Sequence, residues 1–147
     1  MQPAHISLDM DIADQYLGSR STTAYRFKSL RDTGACLTFG SDSPVMTLDP
    51  LKGVYAAVTR QKIDMQPSSS WYPEERLTAH NAIQAYTINA ARASGEEKIK
   101  GSIEPGKLAD LVVLSENIFE LSDEDLYTVQ VDLTIFDGEI VYERQRH

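Results

Sequence analysis

The chain has 147 residues, of which 41% are hydrophobic and 24% charged, so it is long enough for one ordinary domain with a core. Its formal net charge of −8 argues against nucleic acid or an anionic membrane as the main partner. The single cysteine is typical of a reduced, cytoplasmic setting, which is the predicted location. No stretch approaches the ~20 apolar residues of a membrane span, and the first residues do not resemble a signal peptide.

Helix and strand signals alternate in the first half of the chain. In chain order, the pattern predicts a strand end at residues 1–6, a loop and brief helix at 7–17, a half-buried helix at 22–33, a strand at 36–40 and a helix from Pro50 to about Gln61. Asp49 is the predicted N-cap of the last helix, because its carboxylate can accept backbone N–H bonds. Cys36 is the single cysteine, so an internal disulfide is excluded, and we expect a buried thiol.

A long helix and then several strands are predicted in the second half. Apolar residues recur with the helical period between Thr78, the expected N-cap, and Gly95, the expected stop. Four strand-like stretches follow, at residues 99–103, 108–114, 129–136 and 139–143. Asp137-Gly138 is a strong hairpin signal, and the apolar run at 111–114 predicts a strand buried on both faces. We therefore place a boundary near residue 95, with α/β structure before it and mostly β structure after it.

Several short motifs, in this order, resemble the C-terminal part of the amidohydrolase superfamily. They are MQPAHI at residues 1–6, FGSDSP at 39–44, WYPEERLT at 71–78, AYTINAA at 85–91 and GSIEPGKLADLVVL at 101–114. Within the superfamily the resemblance is to the YtcJ-like branch, amidohydrolase family 3. It covers essentially the whole chain.

The resemblance implies an α/β fold that is only part of a larger one. Residues 1–95 would be the C-terminal part of a (β/α)8 metal-dependent hydrolase barrel, with about strands 7 and 8 and the closing helices. Residues 96–147 would be the C-terminal strands of a small β-sandwich domain. A complete barrel needs ~250 residues, and two strands cannot close one. We therefore expect Met1 to be internal to a longer parent protein, whose missing N-terminal part would be a partner of this chain.

Asp42 and His5 are the candidate site residues. From the residues alone, Asp42 is best interpreted as the cap of its local turn. The resemblance implies instead that Asp42 is catalytic at the end of the eighth barrel strand, where it would bind the metal and carry the proton of the attacking water to the leaving nitrogen. His5 follows the seventh-strand segment, which implies substrate binding, although an ordinary partly buried histidine fits equally well.

The remaining polar and aromatic candidates are predicted to have structural roles. They are His80 in the first turn of the long helix, Asp110 in a turn of the small domain, the helix-start acids Glu74 and Glu75, the packing aromatics Trp71 and Tyr72, and the terminal His147.

The resemblance implies a parent that hydrolyses the C–N bond of a small amide, N-acyl or formamide-like substrate with a water activated by a divalent metal, most simply zinc. A catalytic zinc takes three protein ligands, whereas this chain offers one carboxylate and at most one nearby histidine. We therefore expect the isolated chain to bind no metal tightly and to be inactive. Two alternatives stay open: a non-catalytic scaffold or homo-oligomerisation module, and a deaminase-type member of the superfamily.

Overall fold

Over the described residues, 1–63 and 69–145, the computed structural model has five α-helices followed by a three-stranded antiparallel sheet. The helices are α1 Ile6–Leu17, α2 Phe27–Asp32, α3 Pro50–Thr59, α4 Ala79–Tyr86 and α5 Ile88–Ala93. The strands are β1 Leu111–Leu114, β2 Val131–Phe136 and β3 Glu139–Glu143. Within this described part, none of the helices combines the length and apolar character that a membrane crossing requires.

The two helix starts predicted from capping residues are confirmed. The Asp49 carboxylate accepts the Leu51 N–H at 2.9 Å at the start of α3. The Thr78 hydroxyl accepts the Asn81 N–H at 3.2 Å at the start of α4. The prediction of one helix up to Gly95 is wrong, because the helix is interrupted at Thr87. The Thr87 hydroxyl donates to the Ile83 carbonyl. A threonine that bonds back to the preceding turn in this way bends a helix.

The N-terminal helices differ from the prediction in length. Helix α1 begins at Ile6 because Ile6, Met10 and Ala13 recur at helical spacing and are all buried. The helix predicted over 22–33 is confined to α2, since Tyr25 adopts a left-handed backbone with a φ of 53° that no helix continues through.

The predicted strand at 36–40 is an extended segment whose backbone groups are bonded on both sides. The Met1 amino group donates to the Thr38 carbonyl at 2.6 Å, and the Gly40 N–H donates to the Met1 carbonyl at 3.2 Å. This reciprocal pattern is that of neighbouring parallel strands. On the opposite side, the Phe39 N–H donates to the Ala85 carbonyl of α4 at 3.0 Å. Met1 therefore lies beside the extended segment that leads to Asp42.

The expectation that Cys36 is buried is wrong, because its side chain is exposed. Side chains along an extended segment point alternately to opposite faces. Leu37 and Phe39 occupy the face that meets the core, at 9% and 7% exposure, so Cys36 is on the other face.

The sheet has the order β1-β2-β3, and its hairpin is the predicted one. Asp137 and Gly138 both have positive φ, 50° and 82°, as a two-residue type I′ turn requires. The strand predicted at 99–103 is wrong, since this segment lies in turns. Gly101 there has a φ of 93° and packs so closely on α5 that a Cβ would lie 2.8 Å from the Ala91 Cβ. The turn therefore needs a glycine, and a regular strand does not form.

The prediction that β1 is buried on both faces is also wrong. Val112 is 59% exposed and Val113 is 43% exposed. β1 pairs with β2 alone among the described residues, so it is an edge strand of the sheet. Its continuous apolar run is typical of a strand covered by further layers.

One hydrophobic cluster contains side chains from both sides of residue 95. Phe27, Ile6 and Val54 are at its fully buried centre. Ile118, Leu126 and Val129, which follow the helices in the chain, belong to the same cluster. The division near residue 95 into two domains stays a prediction.

Candidate functional site

Asp42 and His5, the two residues predicted for the site, lie close together. The distance from His5 Nε2 to Asp42 Oδ2 is 4.0 Å. The His5 side chain is 16% exposed and the Asp42 side chain 55% exposed, so the imidazole is set back and the carboxylate faces solvent. The backbone contact of Met1 with residues 38–40 brings the segment that leads to His5 next to the segment that leads to Asp42. Among the described residues, His5 Nε2 is buried and has no hydrogen-bond partner.

The local turn does not use the Asp42 carboxylate as its cap. The Ser43 N–H instead donates to the Ser41 hydroxyl at 3.4 Å, and the Val45 N–H donates to the Asp42 backbone carbonyl at 2.9 Å. Asp42 has a φ of 54°, a left-handed conformation that aspartate and asparagine tolerate better than most residues. The carboxylate is thus available for a partner outside the turn. Its catalytic role stays a prediction.

The described residues do not by themselves make up a metal centre. Within residues 1–63 and 69–145, no group of three or more His, Cys, Asp or Glu side chains is placed to hold a metal ion. Asp42 and His5 are one carboxylate and one imidazole, which is fewer than the three protein ligands of a catalytic zinc. A complete centre would need further ligands.

A buried arginine, Arg60, was not identified from the sequence. It follows α3 with a φ of 58°, its residue is 0% exposed, and its guanidinium lies 5.4 Å from the Phe27 ring centroid and 5.3 Å from that of Trp71. Burial lowers the pKa of Arg60 to about 10, so the group stays charged at neutral pH. The one available signal was a charged residue closing the apolar run of α3 where a glycine stop is usual.

Trp71, which lies near Arg60, and its neighbour Tyr72 both bond to Asp14 of α1. The Trp71 indole N–H donates to the Asp14 carboxylate at 3.0 Å, and the Tyr72 hydroxyl lies 3.2 Å from the same group. Hydrogen bonds from Ser21 and Trp71 lower the pKa of Asp14. Trp71 is 7% exposed, which confirms packing as the main role of this residue.

Glu74 and Glu75 lie in the first turn of a short 3-10 helix, Pro73–Glu75, as predicted, but Glu75 is also buried. Glu75 is 5% exposed and accepts the Ser29 N–H at 2.8 Å and the Ser29 hydroxyl, with Arg26 Nε at 3.5 Å. Burial raises the pKa of Glu75, but the hydrogen bonds from Ser29 and the charge of Arg26 outweigh burial and hold the pKa below its ordinary value. Glu75 therefore joins α2 to the turn at Pro73–Glu75.

His80 is exposed in the first turn of α4, as predicted. Asp110 accepts the Asp137 N–H at 2.9 Å, which is a structural bond to the β2–β3 hairpin. His147 lies outside the described residues.

Glu75 makes stability depend on pH. Because its pKa is lower in the folded chain, its ionised form stabilises the fold above the ordinary pKa of 4.5, and this contribution is lost as the pH falls through the lowered value. We expect Glu75→Gln to reduce the free energy of unfolding by about 1–3 kcal/mol at pH 7. The variant should also lose less stability than the original chain when the pH is lowered from about 5 to about 3, as measured by urea unfolding.

The matched control for this experiment is Glu74→Gln, because Glu74 is the exposed neighbour of Glu75. It should unfold like the original chain at both pH values. If the Glu75 and Glu74 variants have the same pH dependence, the buried hydrogen bonds are not the source of the effect.

Comparison with known proteins gives consistent matches over nearly the whole chain. A family model described as the amidohydrolase family matches residues 1–142. The chain is 34% identical over 145 residues to the amidohydrolase YtcJ of Bacillus subtilis, covering 98% of this chain and 27% of that protein. It is 38% identical over 117 residues to the N-substituted formamide deformylase of Arthrobacter pascens, covering 80% of this chain and 21% of that protein.

Solved structures give the same result. The crystal structure of a metal-dependent hydrolase from Pyrococcus horikoshii matches with a TM-score of 0.70 and 31% identity, over 84% of this chain and 25% of that one. The chain spans about a quarter of the length of the relatives that it matches.

Proposed function

Because the chain belongs to the amidohydrolase family, we propose that it is the C-terminal part of a metal-dependent hydrolase that cleaves a C–N bond of a small amide, N-acyl or formamide-like molecule. The match to a protein named as a formamide deformylase supports this bond class. The main structural support is the 4.0 Å approach of His5 to Asp42 beside the parallel-type backbone contact between Met1 and residues 38–40. In barrel enzymes, side chains at the carboxyl ends of parallel strands form the active site.

We assign the proton transfers to Asp42. Its carboxylate is exposed, is not used by the local turn, and can accept the proton of an attacking water and later donate it to the leaving nitrogen. Asp42 would also be one ligand of a divalent metal, for which zinc is our proposal. The metal, when bound, would lower the pKa of its water and polarise the substrate carbonyl.

His5 would bind the substrate. Its Nε2 is buried, faces Asp42 and has no partner among the described residues, and an unpaired buried polar atom indicates a ligand that completes it. When Nε2 carries a hydrogen, it can donate a hydrogen bond to a substrate oxygen next to the bond that breaks.

The remaining ligands would come from the N-terminal part of the parent protein. Residues 1–95 would then complete a (β/α)8 barrel, and residues 96–147 would complete a β-sandwich. Exposed apolar side chains on the sheet, such as Val112 at 59% and Ile140 and Val141 at 60%, are available for such a contact. These exposed apolar side chains also support the second candidate function, a scaffold or homo-oligomer contact. We place the protein in the cytoplasm.

The test compares the isolated chain with a longer polypeptide that contains it. Both are purified, loaded with zinc and assayed with N-formyl amines, N-acyl amines and simple amides, with amine and carboxylate products quantified. We expect turnover by the longer polypeptide and none by the isolated chain. A parallel assay supplies an amino-substituted heterocycle and measures ammonia; release of ammonia from that ring would assign the deaminase alternative instead. Zinc-dependent turnover by the isolated chain would contradict our proposal that most metal ligands lie elsewhere.

A further inference from the structure

Arg60 connects two loops that both hold helix α1. Its Nη1 donates to the Tyr25 backbone carbonyl at 2.6 Å, and its Nε donates to the Trp71 backbone carbonyl at 2.8 Å. The two carbonyls belong to segments 46 residues apart in the chain, before α2 and before α4. A single buried side chain therefore bonds to both segments.

The side chains of the same two residues bond to α1 at two positions, Asp9 and Asp14. The Tyr25 hydroxyl donates to Asp9, in the first turn of the helix. The Trp71 indole donates to Asp14, near its C-terminal end, at 3.0 Å. Arg60 thus bonds to the backbones of the two aromatic residues, and their side chains bond to α1 at two points.

Helix α1 starts directly after His5, which is its N-cap residue. A rotation or shift of α1 would move the His5 ring relative to Asp42, because no loop separates the ring from the helix. We propose that Arg60 is a positioning residue, which holds His5 opposite Asp42 through Tyr25, Trp71 and the two acidic residues of α1. This inference rests on the function proposed above for the His5–Asp42 pair.

The chemistry of the guanidinium explains why this position holds an arginine. Its planar group donates in two directions at once while lying near the rings of Phe27 and Trp71, an arrangement that an ammonium group cannot reproduce. Nη2 has no hydrogen-bond partner among the described residues. Burying a charge with an unpaired nitrogen costs free energy, which is offset by the contacts that Arg60 makes.

The experiment measures the position of the His5 ring directly in this chain. Ring-proton chemical shifts of His5 are recorded by NMR at about pH 8.5, well above the ordinary histidine pKa. We compare the original chain with Arg60→Met, Arg60→Lys and the control Arg20→Met, an exposed arginine. We expect the His5 signals to move by more than a line width in Arg60→Met and less in Arg60→Lys. They should not move in Arg20→Met, and those of exposed His80 should stay unchanged in all variants.

Variants that leave Arg60 in place keep the proposal testable if Arg60→Met does not fold. Tyr25→Phe removes the bond to Asp9, and Asp14→Asn weakens the bond from Trp71; each should also shift the His5 signals. The emission of Trp71, the only tryptophan, shows whether each variant is folded. Folded variants with lower stability and unchanged His5 signals would show that Arg60 is merely structural. This readout needs no metal or substrate, so it stands apart from any failure of the proposed hydrolase activity.

Discussion

Replacing Asp42 by asparagine is expected to lower kcat of the longer hydrolase by about 10²–10⁴-fold, the usual contribution of a general acid–base group. Asparagine has nearly the same shape but cannot accept or carry the proton, and its amide is a weaker metal ligand than a carboxylate. The stability of the isolated chain should not change, because the side chain is 55% exposed and asparagine tolerates the left-handed backbone at a φ of 54°. The measurements are steady-state kinetics of the longer protein and urea unfolding of this chain.

The chain offers a closely matched control in Asp137. It is also an exposed aspartate with a left-handed backbone, at a φ of 50°, but it lies in the β2–β3 hairpin. Asp137→Asn should keep both kcat and stability, since asparagine followed by glycine suits this turn. Equal kcat values for the Asp42 and Asp137 variants would exclude Asp42 as the proton carrier. A marked loss of stability in Asp42→Asn would instead indicate a structural role.

Replacing Phe27 by alanine is expected to reduce the free energy of unfolding by about 3–5 kcal/mol. Phe27 is 0% exposed, and its ring centroid is 5.1 Å from that of Phe39 and 5.9 Å from that of Tyr25. Removing the ring leaves a cavity at the centre of the cluster and takes away one of the two aromatic rings near the Arg60 guanidinium. Urea unfolding followed by Trp71 fluorescence measures the change.

Leu30→Ala is the control for this prediction, because Leu30 is on the same helix and is 40% exposed. Its effect should stay below about 1 kcal/mol, since little apolar area is removed from the core. Phe27→Leu should be intermediate, because part of the cavity stays filled. Similar losses in Phe27→Ala and Leu30→Ala would mean that the cluster is not centred on Phe27.

Features that depend on neighbouring residues were predictable from the sequence. Asp49-Pro50 and Thr78 start helices because a side-chain oxygen a few bonds away satisfies a free backbone N–H. Asp137-Gly138 forms a hairpin because both residues accept a positive φ. The motifs that predicted the family are likewise continuous stretches of sequence, and the match over residues 1–142 confirms them.

Features that depend on distant residues were decided by the tertiary structure. Arg60 and Glu75 can be buried because each forms hydrogen bonds with a distant segment. The partner of Arg60 is a carbonyl 35 residues away, and that of Glu75 is a hydroxyl 46 residues away. No local sequence pattern encodes such partners. Cys36 is exposed and Leu37 buried because the face of an extended segment is set by what packs on it. The approach of His5 to Asp42 depends in the same way on backbone pairing between residue 1 and residues 38–40. Local hydrogen bonds form within one turn, so consecutive residues determine them. Burial and contacts between distant side chains arise only when separate segments pack together.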